Sequence, residues 1–196
     1  MAERTSALAG HVKTGHIGAE VATGVILEEV ADLSLQQVAA WPDTLAAVGA
    51  KAAGAIGLRA AGARAALVPA AAVTGPKGAL LRTEPLKWWL LDAAAPSLTP
   101  EEGTTLDLSH SRVRVRISGP EAAALLNRHL PLDLREGAFP AGSVASTAFH
   151  HVGITLWRAE AGYELFLPRG FALSLWELLL ESAAQFGAEV AYTKRP

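Results

Sequence analysis

The sequence has 196 residues, of which 51% are apolar and 18% charged, with a formal net charge of −2 and no cysteine. That length suits one domain or two small ones. The lack of thiols excludes disulfides, thiolate catalysis and a zinc site built on Cys. The charge balance gives no basis for broad nucleic-acid affinity, and no apolar run approaches the ~20 residues that span a bilayer.

A charged fraction below the usual quarter, with positive mean hydropathy, predicts surface that a partner protein covers. The N-terminus has no basic segment followed by an apolar stretch, so no secretory signal is read and the cytoplasm is the expected compartment.

Residues 1–24 are rich in Ala, Gly and Thr without a clear period. They read as an N-terminal arm, either disordered or ordered on a partner. An imperfect strand signal covers residues 30–38. Trp41-Pro42-Asp43 then opens a helix over residues 43–53, with proline near its start. Residues 54–76, rich in Ala and Gly, carry no clear assignment. Residues 80–82 and 86–91 read as strands, and residues 96–103 as a loop.

Residues 112–117 alternate perfectly, Val113, Val115 and Ile117 on one face and Arg112, Arg114 and Arg116 on the other, as a half-buried strand does. Ser118 and Glu121 have capping-box spacing with Pro120 between them. A helix is expected to follow, with Leu125, Leu126, His129 and Leu130 on one face, ending at Pro131. Strands are then expected at residues 144–149, 152–158 and 163–167, with Glu160-Ala161-Gly162 as a hairpin connection. A helix over residues 171–186 ends at Gly187, and residues 188–192 give a final strand. The pattern predicts a single α+β domain over residues 25–196. It would have antiparallel sheets, packed helices and two related halves, about 25–96 and 104–192.

The last helix places Ser174, Glu177, Glu181 and Gln185 in one narrow polar stripe. Apolar residues cover most of the rest, about twice the ~100° of an ordinary surface helix. Either the helix is sandwiched inside its own domain, or Phe171, Leu175, Trp176 and Leu179 face another subunit. The stripe of Arg112, Arg114 and Arg116 is a second candidate interface. It could meet an acidic partner, or form the solvated face of a strand. Glu28-Glu29 and Glu101-Glu102 read as solvated loop or edge carboxylates. The six histidines show no i, i+4 ligand pair. His150 and His151 would point to opposite faces of a strand, so no metal site is expected. No phosphate-binding glycine motif and no nucleophile elbow occurs, and no catalytic set is assembled.

Asp107-Leu108-Ser109-His110, Ser118-Gly119-Pro120-Glu121-Ala122, Leu125-Leu126 and Asp133-Leu134 together resemble folate-binding aminomethyltransferase-type domains, which include the glycine cleavage T-protein. The likeness continues through Phe139-Pro140-Ala141-Gly142 and Tyr163-Glu164-Leu165-Phe166-Leu167-Pro168-Arg169. Within that superfamily the chain resembles the gamma-subunit family of heterotetrameric sarcosine oxidase. Carrying this are Leu167-Pro168-Arg169 leading to Trp176-Glu177, and Arg82-Thr83-Glu84-Pro85-Leu86-Lys87-Trp88-Trp89-Leu90. The resemblance implies the fold of the N-terminal folate-binding domain of T-protein. It also implies a non-catalytic structural subunit beside alpha, beta and delta subunits that hold FAD, FMN, NAD, zinc and a tetrahydrofolate site. No cofactor is expected in this chain. The transferases carry an acidic residue in the hairpin that holds folate, whereas residues 150–155 here contain no carboxylate. The alternative is a stand-alone folate-binding one-carbon transferase.

Overall fold

A computed structural model describes residues 5–20, 22–59 and 64–194. Parts of the expected arm (1–4 and 21), of the unassigned stretch (60–63) and of the domain end (195–196) lie outside the described residues. The chain divides into two compact units, each with its own sheet. Their limits differ from the halves expected at 25–96 and 104–192. The first unit takes the described residues up to Leu33, His110–Ala141 and those from Ser146 onward. The second takes Ser34–Ser109 with Gly142–Ala145.

The first unit is built on strands β1 (Gly15–Ile17), β2 (Val25–Val30), β8 (Arg112–Ser118), β9 (Val144–Phe149), β10 (Val152–Ala159), β11 (Gly162–Pro168) and β12 (Ala188–Thr193). They form one sheet in the order β1-β12-β2-β8-β11-β10-β9. The expectation of an antiparallel sheet needs one correction, because β12 runs parallel to β2. Two antiparallel steps separate β2 from β11. Strands β11 and β12 therefore run the same way, and the chain joins them through helix α3 (Ala172–Ala183), the crossover that parallel strands require.

Val113, Val115 and Ile117 are buried, as alternation predicts. One face of α3, formed by Ala172, Leu175, Trp176, Leu179 and Ala183, is buried as well. Gly187, with φ of 61°, takes the left-handed position that ends the helical segment.

Three local expectations change. The strand read over residues 30–38 is two strands, β2 and β3 (Leu35–Ala40), broken at Asp32, whose φ is 55°. The helix after Ser118 is short, α2 (Ala122–Leu126). Ser118 does not cap it, because Ser118 is the last residue of β8 and Gly119 turns the chain at φ of 102°. The expected arm is bound to this unit. Leu8 is fully buried, β1 pairs with β12, and the Ala19 N–H donates to the Ala184 carbonyl at 2.9 Å.

The second unit holds β3, helix α1 (Leu45–Ala55), β4 (Ala72–Gly75), β5 (Gly78–Glu84), β6 (Lys87–Leu91) and β7 (Gly103–Asp107). Its sheet order is β4-β5-β6-β3-β7, with every pairing antiparallel. Helix α1 and the sheet enclose Val38, Val48, Ala52, Ile56, Leu80, Trp88 and Leu90. The Trp88 indole donates to the Ala66 carbonyl at 2.7 Å, which satisfies its polar atom inside the core.

Candidate functional site

The arginine stripe lies on β8, the middle strand of the seven-stranded sheet. Register places Glu28 of β2 and Glu164 of β11 on either side of Arg116. Because paired residues share a face, the two carboxylates and the stripe converge. Glu164 accepts from Arg114 Nε at 2.8 Å and from Arg116 Nε at 2.7 Å. Arg116 Nη1 reaches Glu28 Oε2 at 3.0 Å, and the Thr193 hydroxyl donates to Glu28 Oε1. The network thus crosses four adjacent strands.

Burial opposes the charge of Arg116, but Glu164 and Glu28 outweigh it and hold its pKa above the ordinary value. Burial alone lowers the pKa of Arg112. Arg114 and Glu164 are buried. Two carboxylates match Arg114 and Arg116, and carboxylates this close leave little field for an outside polyanion. Arg114 is thus committed to the chain's own interior, whereas Arg112 and Arg116 are half-buried and keep part of their surface open.

The helical candidates separate in the same way. Leu175, Trp176 and Leu179 are buried within the chain, so they serve its core and cannot meet a subunit directly. Phe171 is 54% exposed and remains open to one. The wide apolar surface of α3 is distributed between this buried face and half-buried Leu173, Leu178 and Leu180.

Sequence reasoning missed Glu28 and Glu164 as partners of the stripe. Glu28 and Glu29 are not solvated edge residues, since β2 is an inner strand. Glu29 lies on the opposite face from Glu28, buried, and accepts from the Ser6 hydroxyl. Burial raises its pKa against the lowering effect of that hydrogen bond. Glu102 is held by Lys51 at 2.6 Å.

His129 stacks on Phe149, with ring centroids 4.6 Å apart and planes 11° from parallel. Its Nδ1 lies 3.0 Å from His150 Nε2. Burial, then the charges of His150 and Arg128, lower its pKa. Among the described residues no group of three His, Asp or Glu side chains is placed to hold a metal ion. A hollow of about 240 Å³ lies between the turn after β8 and the β10–β11 hairpin. Its lining includes Ser118, Pro120, Arg158 and Tyr163. The Arg158 guanidinium sits 4.4 Å from the Tyr163 ring centroid and is occupied there by a cation–π contact.

No helix among the described residues is long and apolar enough to cross a membrane. Residues 83–193 match the GCVT N-terminal domain family. The chain is 33% identical over 190 residues to sarcosine oxidase subunit gamma from Corynebacterium sp. (strain U-96), covering 93% of this chain and 92% of that one. Over 94 residues it is 31% identical to subunit gamma from Corynebacterium sp. (strain P-1), covering 47% of this chain and 46% of the relative.

Among solved structures it is similar to a chain of heterotetrameric sarcosine oxidase from Corynebacterium sp. U-96 in complex with pyrrole 2-carboxylate. The TM-score is 0.75 and the identity 25%, covering 93% of this chain and 96% of that chain. Aminomethyltransferase T of the Bartonella henselae glycine cleavage system shares the fold, with a TM-score of 0.54 and 18% identity over 86% of this chain and 48% of the transferase. A likeness in sequence that runs nearly end to end, on the fold of the T-protein, places this chain in the sarcosine oxidase gamma-subunit family.

Proposed function

We propose that this chain is a non-catalytic structural subunit of a cytoplasmic heterotetrameric sarcosine oxidase-type complex. The complex oxidatively demethylates sarcosine to glycine and passes the one-carbon unit to tetrahydrofolate. Alpha, beta and delta subunits carry FAD, FMN, NAD, zinc and the folate site. The observation that carries this reading is the 33% identity to a gamma subunit over 93% of the chain.

The chemistry of this chain agrees with it. Its most strongly arranged charged groups, Arg114, Arg116, Glu28 and Glu164, are spent on one another. The turn between β9 and β10 presents His150 and His151, both exposed, with no carboxylate to hold a folate ring. Phe171, exposed at the start of α3, is one apolar contact available to a neighbouring subunit.

Co-expression with the three partner subunits, purification through a tag on alpha, and native mass spectrometry test the reading. The expected complex contains one copy of the 20.4 kDa chain, and Phe171→Ser weakens its retention. Recovery of the chain solely as a monomer or self-oligomer would end the reading. Tight binding of tetrahydrofolate by the isolated chain in calorimetry would favour a folate-dependent transferase instead.

A further inference from the structure

The two edges of the five-stranded sheet are finished differently. At the β4 edge, residues 142–144 lie alongside. The Ala72 N–H donates to the Gly142 carbonyl at 2.7 Å, and the Val144 N–H to the Ala70 carbonyl at 2.8 Å. At the opposite edge, Thr104, Thr105, Leu106 and Asp107 of β7 are all exposed, although they alternate between the two faces of the sheet.

The ladder shows which backbone groups of β7 point outward. The Leu108 N–H donates to the Leu35 carbonyl at 2.8 Å, and the Trp41 N–H to the Glu102 carbonyl at 3.4 Å. Residue pairs 35/108 and 41/102 are therefore the hydrogen-bonded kind. Antiparallel pairing alternates, so Gln37/Leu106 and Ala39/Thr104 are of that kind too. Thr105 lies between them and directs its N–H and C=O away from β3, toward the rim.

Protein edges are normally blunted by Lys, Pro or a bulge. β7 has none of these: its sequence is Gly-Thr-Thr-Leu-Asp and its register with β3 is unbroken. Beside its start the Trp41 indole, fixed to the Pro100 carbonyl at 2.8 Å, is 53% exposed. Leu106 is 55% exposed.

The rim is also acidic. Glu101 precedes the strand and Asp107 ends it, and no Lys or Arg occurs from Trp88 to Ser111. Lys51, on α1, is engaged by Glu102. Self-pairing about Thr105 would set Asp107 opposite Gly103 of a second copy, two residues from that copy's Glu101. Carboxylates would then crowd both ends. A strand from a different chain, with basic residues at its ends, meets no such repulsion.

We propose that the β7 edge receives an extended, basic-flanked strand from another subunit, added by main-chain pairing at Thr105. This rests on the reading of the chain as one subunit of a hetero-complex. Apolar side chains of the incoming strand would lie beside Leu106, as cross-strand neighbours do.

The test uses the co-expressed complex and the free chain. Hydrogen exchange at the Thr105 amide is expected to slow at least about tenfold in the complex. Thr105→Pro removes the outward donor without touching the β3 ladder, as edge strands tolerate. It is expected to cut retention of the chain by about tenfold, the worth of one lost hydrogen bond with its neighbours. Thr105→Val keeps the donor and should be retained like wild type. Glu101→Lys with Asp107→Lys should weaken retention.

Wild-type retention of Thr105→Pro, or an unprotected Thr105 amide in the complex, overturns the edge and leaves the subunit reading standing. If Thr105→Pro fails to fold by circular dichroism, the wild-type exchange result decides. Protection of Thr105 in a dimer of the free chain overturns the proposal in favour of a second copy. Failure of the wild-type chain to co-purify removes the subunit reading and the edge with it.

Discussion

Glu164 holds two guanidinium groups while only 3% of its side chain is exposed. Removing one member of a buried ion pair strands the other, at about 3–5 kcal/mol. Glu164→Ala is therefore expected to lower unfolding stability by about that much. Glu164→Gln, which keeps an acceptor, should cost less. Urea unfolding at constant m-value checks both, and equal stability of wild type and Glu164→Ala would remove the network from the sheet's energetics.

His129 gives the pH dependence a sign. Its folded pKa lies below the usual 6.5, so just below 6.5 the unfolded chain binds more protons than the folded one. The stability it contributes is present above 6.5 and is lost as pH falls through the lowered folded pKa. Glu29 acts oppositely. Its folded pKa is raised above 4.5, so its contribution is present below 4.5 and is lost as pH rises through the folded value. The comparison therefore belongs in a Glu29→Gln background. There, His129→Gln should flatten the rise of the urea midpoint between pH 5 and 7, and identical slopes would exclude His129 as the source.

Elements were legible where one period ran long enough. Alternation from Arg112 to Ile117 identified β8, and a 3.6-residue pattern with a terminal glycine identified α3. What alternation misjudged was exposure. It reads a polar face as a wet one, which holds when one side of a sheet meets solvent. β8 is an inner strand, and Arg114 and Arg116 are matched by Glu28 and Glu164, residues 88 and 48 positions from Arg116. No local window contains both partners. The apolar width of α3 left two readings open for a related reason: the sequence shows how much greasy surface a helix has, and not how its own chain shares the covering. β7 escaped notice because five residues, two of them Thr, give no periodicity to read. The break at Asp32 depends on a positive φ that an aspartate tolerates without advertising it.

At the scale of the molecule, the chain enters the five-stranded unit at Ser34, leaves it at Ser109 and returns to it for Gly142–Ala145, and the ends at Ser34 and Ser109 meet. The Leu35 N–H donates to Ser109 Oγ at 3.0 Å, and the Leu108 N–H to the Leu35 carbonyl. Adjacent ends are what allow one unit to be carried inside another. Each unit also encloses a fully buried tryptophan, Trp88 in the five-stranded unit and Trp176 on α3 in the seven-stranded one. Tryptophan-to-alanine changes in a core cost about 3–5 kcal/mol, and local opening follows cooperative units. Trp88→Ala should therefore speed amide exchange mainly within residues 34–109, and Trp176→Ala mainly outside them. Exchange mass spectrometry of the two variants resolves the regions directly. Equal acceleration along the whole chain would mean that the two cores open together, as one cooperative body.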